Sequence, residues 1–279
     1  MTDTETNPAF VSQLWRYPMK GFSAVNSVDS LILDPAVGII GDRRFALVYD
    51  SPSEPAPQSW CHKSFTVAGV DQPRCAAVRI DLRADGRLEA SYVQRPQGET
   101  LRIEPDQFNA QLFADFAGLK QSNFVLKDSK SRFSYHDSPT PVISIGNLAT
   151  LRAFAHYAGV NEHPLYGLDP ARFRINIWLE GLPAFAEYDW LEQGVSLMIG
   201  AASLRPLAPI VRCKAITLDP QGAVYQPEIM QQLITFCAEK HQGWSGKAKR
   251  RSQAVMGIFA QASSEAKLEC NDKVFVLDL

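Results

Sequence analysis

The chain of 279 residues is long enough for two modest domains or one large one. Its 46% hydrophobic and 21% charged residues are typical of a globular protein, and a net charge of -2 argues against a nucleic-acid partner. Five cysteines without a Cys-x-x-Cys pair argue against zinc, iron–sulfur and disulfide frameworks. There is no apolar run near the ~20 residues of a membrane span and no signal-peptide pattern, so we expect a cytoplasmic protein with reduced thiols and no membrane partner.

Short stretches of β-type sequence follow one another closely through the first hundred residues. Alternating or β-branched residues bounded by Pro, Gly and Ser clusters are typical of such strands. The close spacing of these short strands predicts a β-barrel or a β-sandwich. The predicted strands cover residues 11–17, 28–33, 44–49, 60–67, 75–82, 88–93 and 99–103.

Helical periodicity is limited to three stretches, 105–119, 144–157 and 227–240, and strands are predicted again at 255–260 and 273–277. The polar stretch 120–134 is the best candidate for a domain boundary. The sequence therefore predicts a mainly β protein, α+β in detail, with about three packing helices.

Cys213 is the cysteine whose neighbours indicate a reactive or metal-bound sulfur. It lies between Arg212 and Lys214, just before a β-prone run at 215–218. A thiol is a nucleophile or a metal ligand only as thiolate, which neighbouring positive charge favours. The alternative is a buried structural cysteine beside two solvated charges.

Three further groups of polar residues could bind an anion. Lys20 occupies a turn after a strand-ending proline, and Arg43 and Arg44 follow a Gly-Asp turn, where strand alternation would point them to opposite faces. Asp42 could orient Arg43 or merely form the turn.

Arg174 and Asn176 lie two residues apart in a β-like stretch at 173–177, so alternation would place both on one face. An exposed sheet face would show the same pattern. For His136, a plain turn is the preferred interpretation.

Five motifs occur in an order that resembles the MOSC domain family, which includes molybdenum-cofactor amidoxime-reducing proteins and the C-terminal domain of molybdenum cofactor sulfurase. The resemblance extends over nearly the whole chain. It implies a β-barrel MOSC core at 126–279 and an N-terminal β-barrel-like domain at 9–125. The motifs are Tyr-Pro-Met-Lys-Gly at 17–21, Gly-Asp-Arg-Arg-Phe at 41–45, Phe-Arg-Ile-Asn-Ile at 173–177, Phe-Ala-Glu-Tyr-Asp-Trp at 185–190 and Arg-Cys-Lys at 212–214.

The resemblance implies that Cys213 ligates molybdenum and that cationic and polar residues bind the molybdenum cofactor (molybdopterin). Several positions depart from the family pattern: Gly21 replaces a common Ser, Lys63 an Arg, Ile175 a Pro, and Val211 a polar residue. Glu187, Asp189 and Trp190 are expected to support the site structurally. The cofactor-binding residues expected are Lys20, Gly21, Arg43, Lys63, Asp137, Ser138, Arg174, Asn176, Val211 and Arg212.

The function implied is reduction of small N-hydroxylated substrates, such as amidoximes or hydroxylamines, at a molybdenum atom. Electrons would come from a separate ferredoxin, flavodoxin or cytochrome, because the chain ends without a cysteine-rich ferredoxin segment. Two alternatives stay open. Cys213 could carry a persulfide for cofactor assembly, or the chain could store and deliver the cofactor without catalysis.

The run Lys-Ala-Lys-Arg-Arg at 247–251 is the densest positive charge in the chain. Opposite charge accelerates encounter between redox partners, with an advantage that falls as salt rises. Charge reversal at Lys249, Arg250 and Arg251 should therefore slow reduction by an acidic protein donor and spare reduction by a small chemical reductant. If charge reversal changes the rate of reduction by both donors equally, or changes neither rate at low salt, the run is only a solvated loop.

Overall fold

The protein is described from a computed structural model covering residues 8–25, 27–50, 60–69, 71–93, 99–137, 139–160, 167–240 and 253–277. Strands predominate in these residues, which confirms the mainly β class. In chain order the strands are β1 (Phe10–Leu14), β2 (Ser23–Ala24), β3 (Ser30–Asp34), β4 (Gly38–Ile39), β5 (Phe45–Tyr49), β6 (Val78–Leu82), β7 (Leu88–Tyr92), β8 (Thr100–Ile103), β9 (Phe124–Asp128), β10 (Ile143–Asn147), β11 (Ile177–Glu180), β12 (Ser196–Ile199), β13 (Ala202–Val211), β14 (Val255–Ala262), β15 (Ala266–Glu269) and β16 (Val274–Leu277).

The described residues contain four α-helices where about three were predicted. The helix that was missed is short and polar, so its periodicity is weak; it ends at Gly194, whose φ of 71° closes the last turn. Within these parts of the chain no helix is long and apolar enough to cross a bilayer. The helices are α1 (Ala110–Ala117), α2 (Leu148–Ala158), α3 (Ala186–Gln193) and α4 (Glu228–Lys240).

Several predicted elements need correction, and one of them is the strand expected at 75–82, which begins only at Val78 because Pro73–Ala77 forms a 3₁₀ helix. The helix expected over 144–157 starts later, because Ile143–Asn147 forms β10 and the side chain of Asn147 accepts the Ala149 N–H at 2.9 Å as its N-cap. Residues 60–67 and 215–218 contain 3₁₀ turns in place of strands. Local bonds compete with strand pairing there: Thr66 and Thr217 each donate a hydroxyl hydrogen back to the carbonyl three residues earlier.

The main sheet has seven strands in the order β1-β11-β10-β14-β13-β12-β16. β10 and β11 run parallel, and α2 lies in the connection that such a pair requires. The two ends of the sheet approach each other: Val11 N donates to Asp272 O and Val274 N to Ala9 O, at 2.9 and 2.8 Å. The sheet thereby closes nearly into a barrel.

The described residues bury three hydrophobic clusters, two of them large. One fills the barrel and takes Val11, Leu14 and Leu33 from the beginning of the chain. The other lies between the β2-β6-β7-β8 sheet, the β5-β9 pair and α1. The expected boundary between residues 125 and 126 falls within β9, and β1 pairs with β11. The two-domain division at that point stays a prediction.

Glu187, at the start of α3, is a wholly buried carboxyl group. Its Oε2 accepts hydrogen bonds from Asn147 Nδ2 at 3.1 Å and Thr150 Oγ1 at 3.0 Å, whereas its Oε1 has no hydrogen-bond partner among the described residues. Burial, only partly opposed by these bonds, raises the pKa of Glu187 to about 7 from 4.5.

The raised pKa of Glu187 makes stability depend on pH. Between about 4.5 and 7 the folded state holds a proton that the unfolded state releases, so the free energy of unfolding falls as pH rises. Glu187→Gln removes this titration while keeping an acceptor for Asn147 and Thr150. We expect the variant to be the more stable protein at pH 8, by up to about 3 kcal/mol, and nearly equal to wild type near pH 4. Urea unfolding at both pH values measures this. A stability difference independent of pH would contradict it.

Candidate functional site

The carboxylate of Asp42 is wholly buried and joins two of the side chains singled out by the sequence, those of Arg43 and Asn176. Its Oδ1 accepts the backbone N–H of Tyr17 at 2.7 Å and Nδ2 of Asn176 at 3.0 Å, and its Oδ2 accepts a guanidinium N–H of Arg43. A buried carboxylate is tolerated when such donors surround it. Of the two roles left open for Asp42, the structure supports the orienting partner of Arg43.

Arg43 and Arg174, distant in the chain, hold each other in place. Arg43 donates to the carbonyl oxygen of Arg174 at 3.0 Å and to Oδ1 of Asn176 at 3.3 Å. Both arginines have a left-handed backbone, with φ values of 46° and 51°. Such conformations cost about 1 kcal/mol or more for non-glycine residues and cluster at functional sites.

Neither arginine lies on a strand, so the predicted strand alternation is wrong in both places. β5 begins two residues after Arg43, and Arg174 directly follows the 3₁₀ helix Pro170–Phe173. Arg43 and Arg44 nevertheless point apart. Arg44 donates twice to Asp128, each time at 2.7 Å, and so ties β5 to β9.

Arg174 reaches across to the turn that carries Lys20. Its guanidinium donates to the carbonyl oxygens of Phe22 and, at 3.5 Å, Met19, and its Cζ lies 4.5 Å from the ring centre of Tyr17. Burial and then the charge of Arg43 lower the pKa of Arg174 to about 10, which leaves it cationic at neutral pH. Arg174 therefore links the barrel to this turn.

Lys20 is buried and donates from Nζ to the carbonyl oxygen of His136 and to Oδ1 of Asp137, both at 3.1 Å. Burial lowers the pKa of Lys20, and the Asp137 carboxylate opposes that shift. The next residue, Gly21, has a φ of +83°, and a Cβ there would lie 2.6 Å from Val67 O. The turn thus requires glycine where the family commonly has Ser.

Asp137 is the exposed end of this pair, with 68% of its side chain accessible. Burial would raise the pKa of Asp137, but the charge of Lys20 and then of Lys63 outweighs it, and the net shift is downward. Lys63 is exposed on the 3₁₀ helix Lys63–Phe65. It lies near enough to Asp137 to act electrostatically, without an ion pair to it.

Cys213 is exposed two residues after the end of β13, where it directly precedes the 3₁₀ helix Lys214–Thr217. Of the two alternatives for this residue, a buried structural cysteine is excluded. Val211, the last residue of β13, is also exposed. The thiol therefore lies at a surface where a ligand or a sulfur donor can reach it.

Arg212 points inward from this exposed loop. Its guanidinium donates to the carbonyl oxygen of Met256 through Nε at 3.0 Å and through a second nitrogen, and to Phe173 O at 2.7 Å. Burial lowers the pKa of Arg212 to about 10. These contacts hold Cys213 against the barrel, a positioning role beside the predicted ligand contact.

Arg172 is a structural contributor that the sequence reasoning missed. It is buried and donates to Ile216 O at 2.9 Å and to Oε1 of Gln226 at 2.6 Å. These bonds fix the 3₁₀ helix after Cys213 to the segment before Arg174. A signal was present: Arg172 immediately precedes the motif at 173–177, and a charged residue between apolar neighbours needs partners if buried.

Four of the predicted cations are electrostatically linked. The charge of Arg43 contributes to lowering the pKa values of Lys20, Arg174 and Arg212, after burial, the largest cause in each case. We call these four residues the cation cluster. The carboxylates bonded to it are Asp42 and Asp137, so positive charge is in excess, which suits an anionic ligand.

Asn176, another predicted cofactor contact, is bonded entirely within the protein. Asn176 is wholly buried and uses both side-chain atoms within the protein: Nδ2 donates to Trp15 O and Asp42, while Oδ1 accepts from Ser144 Oγ and Arg43. Its direct ligand contact stays a prediction. Ser138 and the run at 247–251 lie outside the described residues.

The chemistry of these residues fits a metal held by an organic cofactor. Within the described ranges, no group of three or more His, Cys, Asp or Glu side chains could hold a metal ion. Cys213 offers one soft sulfur ligand. Among the buried polar atoms without a hydrogen-bond partner in these parts of the chain, Tyr17 Oη and His136 Nε2 belong to residues close to Arg43. A cluster of cations, one thiol and unsatisfied polar atoms are complementary to an anionic cofactor that brings the remaining metal ligands.

Arg43 and Arg44 provide a matched pair of neighbouring variants. Arg43→Ala should weaken binding of inorganic phosphate at least about tenfold, because it removes a charge and several donors from the cation cluster. Arg44→Ala should leave phosphate binding unchanged and lower the free energy of unfolding by about 1 kcal/mol, through loss of the partly exposed pair with Asp128. Calorimetric titration and urea unfolding measure the two effects. Equal loss of binding in both variants would contradict the assignment.

Comparison with known proteins places the chain in a family. The MOSC domain matches residues 135–275, about half of the chain, and its members bind the molybdenum cofactor or act in related sulfur and molybdenum chemistry. No curated protein sequence matches the chain significantly.

Two solved structures are similar to this chain at low identity. The YuaD protein from Bacillus subtilis has 13% identity, covers 98% of this chain and 97% of its own, and gives a TM-score of 0.43. YiiM from Geobacillus stearothermophilus has 13% identity over 48% of this chain and 53% of its own, with a TM-score of 0.31. On the domain match, the chain belongs to the MOSC domain family.

Proposed function

We propose that this protein binds the molybdenum cofactor and reduces small N-hydroxylated compounds, such as amidoximes or hydroxylamines. The observation that carries the proposal is an exposed thiol, Cys213, held by Arg212, a member of the cation cluster. A soft metal ligand and an excess of positive charge are the two features that a phosphorylated, metal-bearing cofactor requires. Family membership supports the same ligand.

The cation cluster would hold the anionic part of the cofactor, and Cys213 would supply a sulfur ligand to the metal. When bound, the cofactor supplies redox chemistry that no side chain provides. The protein contributes orientation: Asp42 directs Arg43, and Arg212 and Arg172 fix the loop that carries Cys213. Lys63 and Asp137, both exposed, lie where polar groups of the cofactor or substrate can approach.

The electron donor in this proposal is a separate ferredoxin, flavodoxin or cytochrome, and the location is the cytoplasm. Reduction of an N–O bond consumes an electron pair, so a donor has to resupply that pair at every turnover. Exposure of Val211 and Cys213 supports this arrangement, since a small substrate or a donor protein can approach the loop.

A second candidate function follows from the same exposure. An accessible thiol can carry a persulfide and pass its outer sulfur to an acceptor in cofactor assembly. Burial of the other cysteines Cys61, Cys75 and Cys237 makes Cys213 the most accessible sulfur of the five. A non-catalytic cofactor carrier is the third possibility, and it would contain molybdenum and show no turnover with any reduced donor.

Replacing Cys213 by Ser separates these functions. We expect Cys213→Ser, made in a host that synthesises the cofactor, to fold normally and to lose N-reductive activity with a chemical electron donor. The physical reason is that a hydroxyl is a poor ligand for a soft metal site. Cys270→Ser, at the partly exposed cysteine, is the matched control and should retain activity.

Unchanged molybdenum content and activity in Cys213→Ser would refute the assignment. Wild-type protein that lacks molybdenum and releases sulfur to cyanide, with release lost in Cys213→Ser, would establish the persulfide carrier instead.

A further inference from the structure

Tyr17 is the first residue of the motif at 17–21. Its side chain is almost wholly buried, and its hydroxyl has no hydrogen-bond partner among the described residues. A buried hydroxyl without a partner is disfavoured, because the water bonds lost on folding are not replaced. Such an exception calls for an explanation in the ligand-free protein.

The surroundings of Tyr17 supply that explanation. The Cζ atoms of Arg43 and Arg174 lie 5.2 and 4.5 Å from its ring centre, and Trp15 stacks on it with centroids 6.3 Å apart. Burial raises the pKa of the phenol well above 10, so the hydroxyl keeps its proton as a donor at neutral pH. The ring that carries this unused donor therefore lies against two guanidiniums of the cation cluster.

The donors of these two arginines are bonded to the protein itself. Arg174 is bonded to the carbonyls of Phe22 and Met19, and Arg43 to Asp42, Asn176 and the Arg174 carbonyl. Bonds to neutral carbonyls are weaker than bonds to an anion. An anion that replaces a carbonyl oxygen as the partner of Arg43 or Arg174 would lie near the Tyr17 ring. The Tyr17 hydroxyl could then donate a hydrogen bond to it.

We propose that Tyr17 is a ligand-binding residue whose hydroxyl donates a hydrogen bond to a phosphate oxygen of the anion held by the cation cluster. This inference rests on the proposed function, because it takes the cluster to be the site of a phosphorylated ligand. It adds a neutral donor to the charged ones. It also explains why an unsatisfied hydroxyl is retained where phenylalanine would fill nearly the same space.

The test compares two tyrosines that are both wholly buried and differ in their bonding. Tyr188 Oη accepts the backbone N–H of Gly257 at 3.0 Å, whereas Tyr17 Oη has no such bond. We expect Tyr17→Phe to leave the melting temperature of the ligand-free protein unchanged or higher, and to weaken binding of inorganic phosphate about tenfold. Tyr188→Phe should lower the melting temperature by roughly 3–6 °C and leave phosphate binding unchanged.

Each outcome decides something. If wild-type protein and Tyr17→Phe bind phosphate with equal affinity, the role of Tyr17 is overturned and the proposed function stands. A melting temperature of Tyr17→Phe lowered as much as that of Tyr188→Phe would assign Tyr17 to packing and overturn the inference. Failure of wild-type protein both to bind phosphate and to retain pterin after expression in a cofactor-producing host would overturn the proposed function and this inference together.

Discussion

The hydrogen bonds received by the buried carboxylate of Asp42 are the interaction on which the site depends. They join the backbone at Tyr17, the amide of Asn176 and the guanidinium of Arg43, and so bring together three segments far apart in the chain. Removal of the carboxylate would leave several buried donors unpaired, which is far less favourable than loss of one bond. The position of Arg43, and through it that of Arg174, follows from this single group.

The same side chains serve structure and binding. Arg174 lies in the second half of the chain and bonds to the turn of Lys20, while Arg43 lies in the first half and bonds to Arg174 and Asn176. In the ligand-free protein, carbonyl oxygens accept hydrogen bonds from the guanidiniums. These bonds offset part of the free-energy cost of burying several positive charges together. An anion would offer these donors stronger partners. Ligand binding and the contact between the two halves are therefore linked through the arginines.

The sequence predicted the mainly β class, and four of the cations that it indicated are electrostatically linked in the fold. Residue type and motif order are informative even where the predicted local structure is wrong. Periodicity failed where tertiary contacts determine the backbone. Arg43 and Arg174 are left-handed residues held by each other, and no alternation pattern encodes such a contact. The inward turn of Arg212 depends on carbonyls of Phe173 and Met256, which are distant in the chain. The unsatisfied hydroxyl of Tyr17 is visible only once all its neighbours are placed.

The central claim is that the cation cluster and Cys213 form one site for the molybdenum cofactor. Its most direct test is the molybdenum and pterin content of protein purified from a host that makes the cofactor. The account predicts about one molybdenum and one pterin per chain, bound together, because one cofactor provides both. Protein of native fold that contains neither, under conditions in which a known cofactor-binding protein from the same host is loaded, would contradict it.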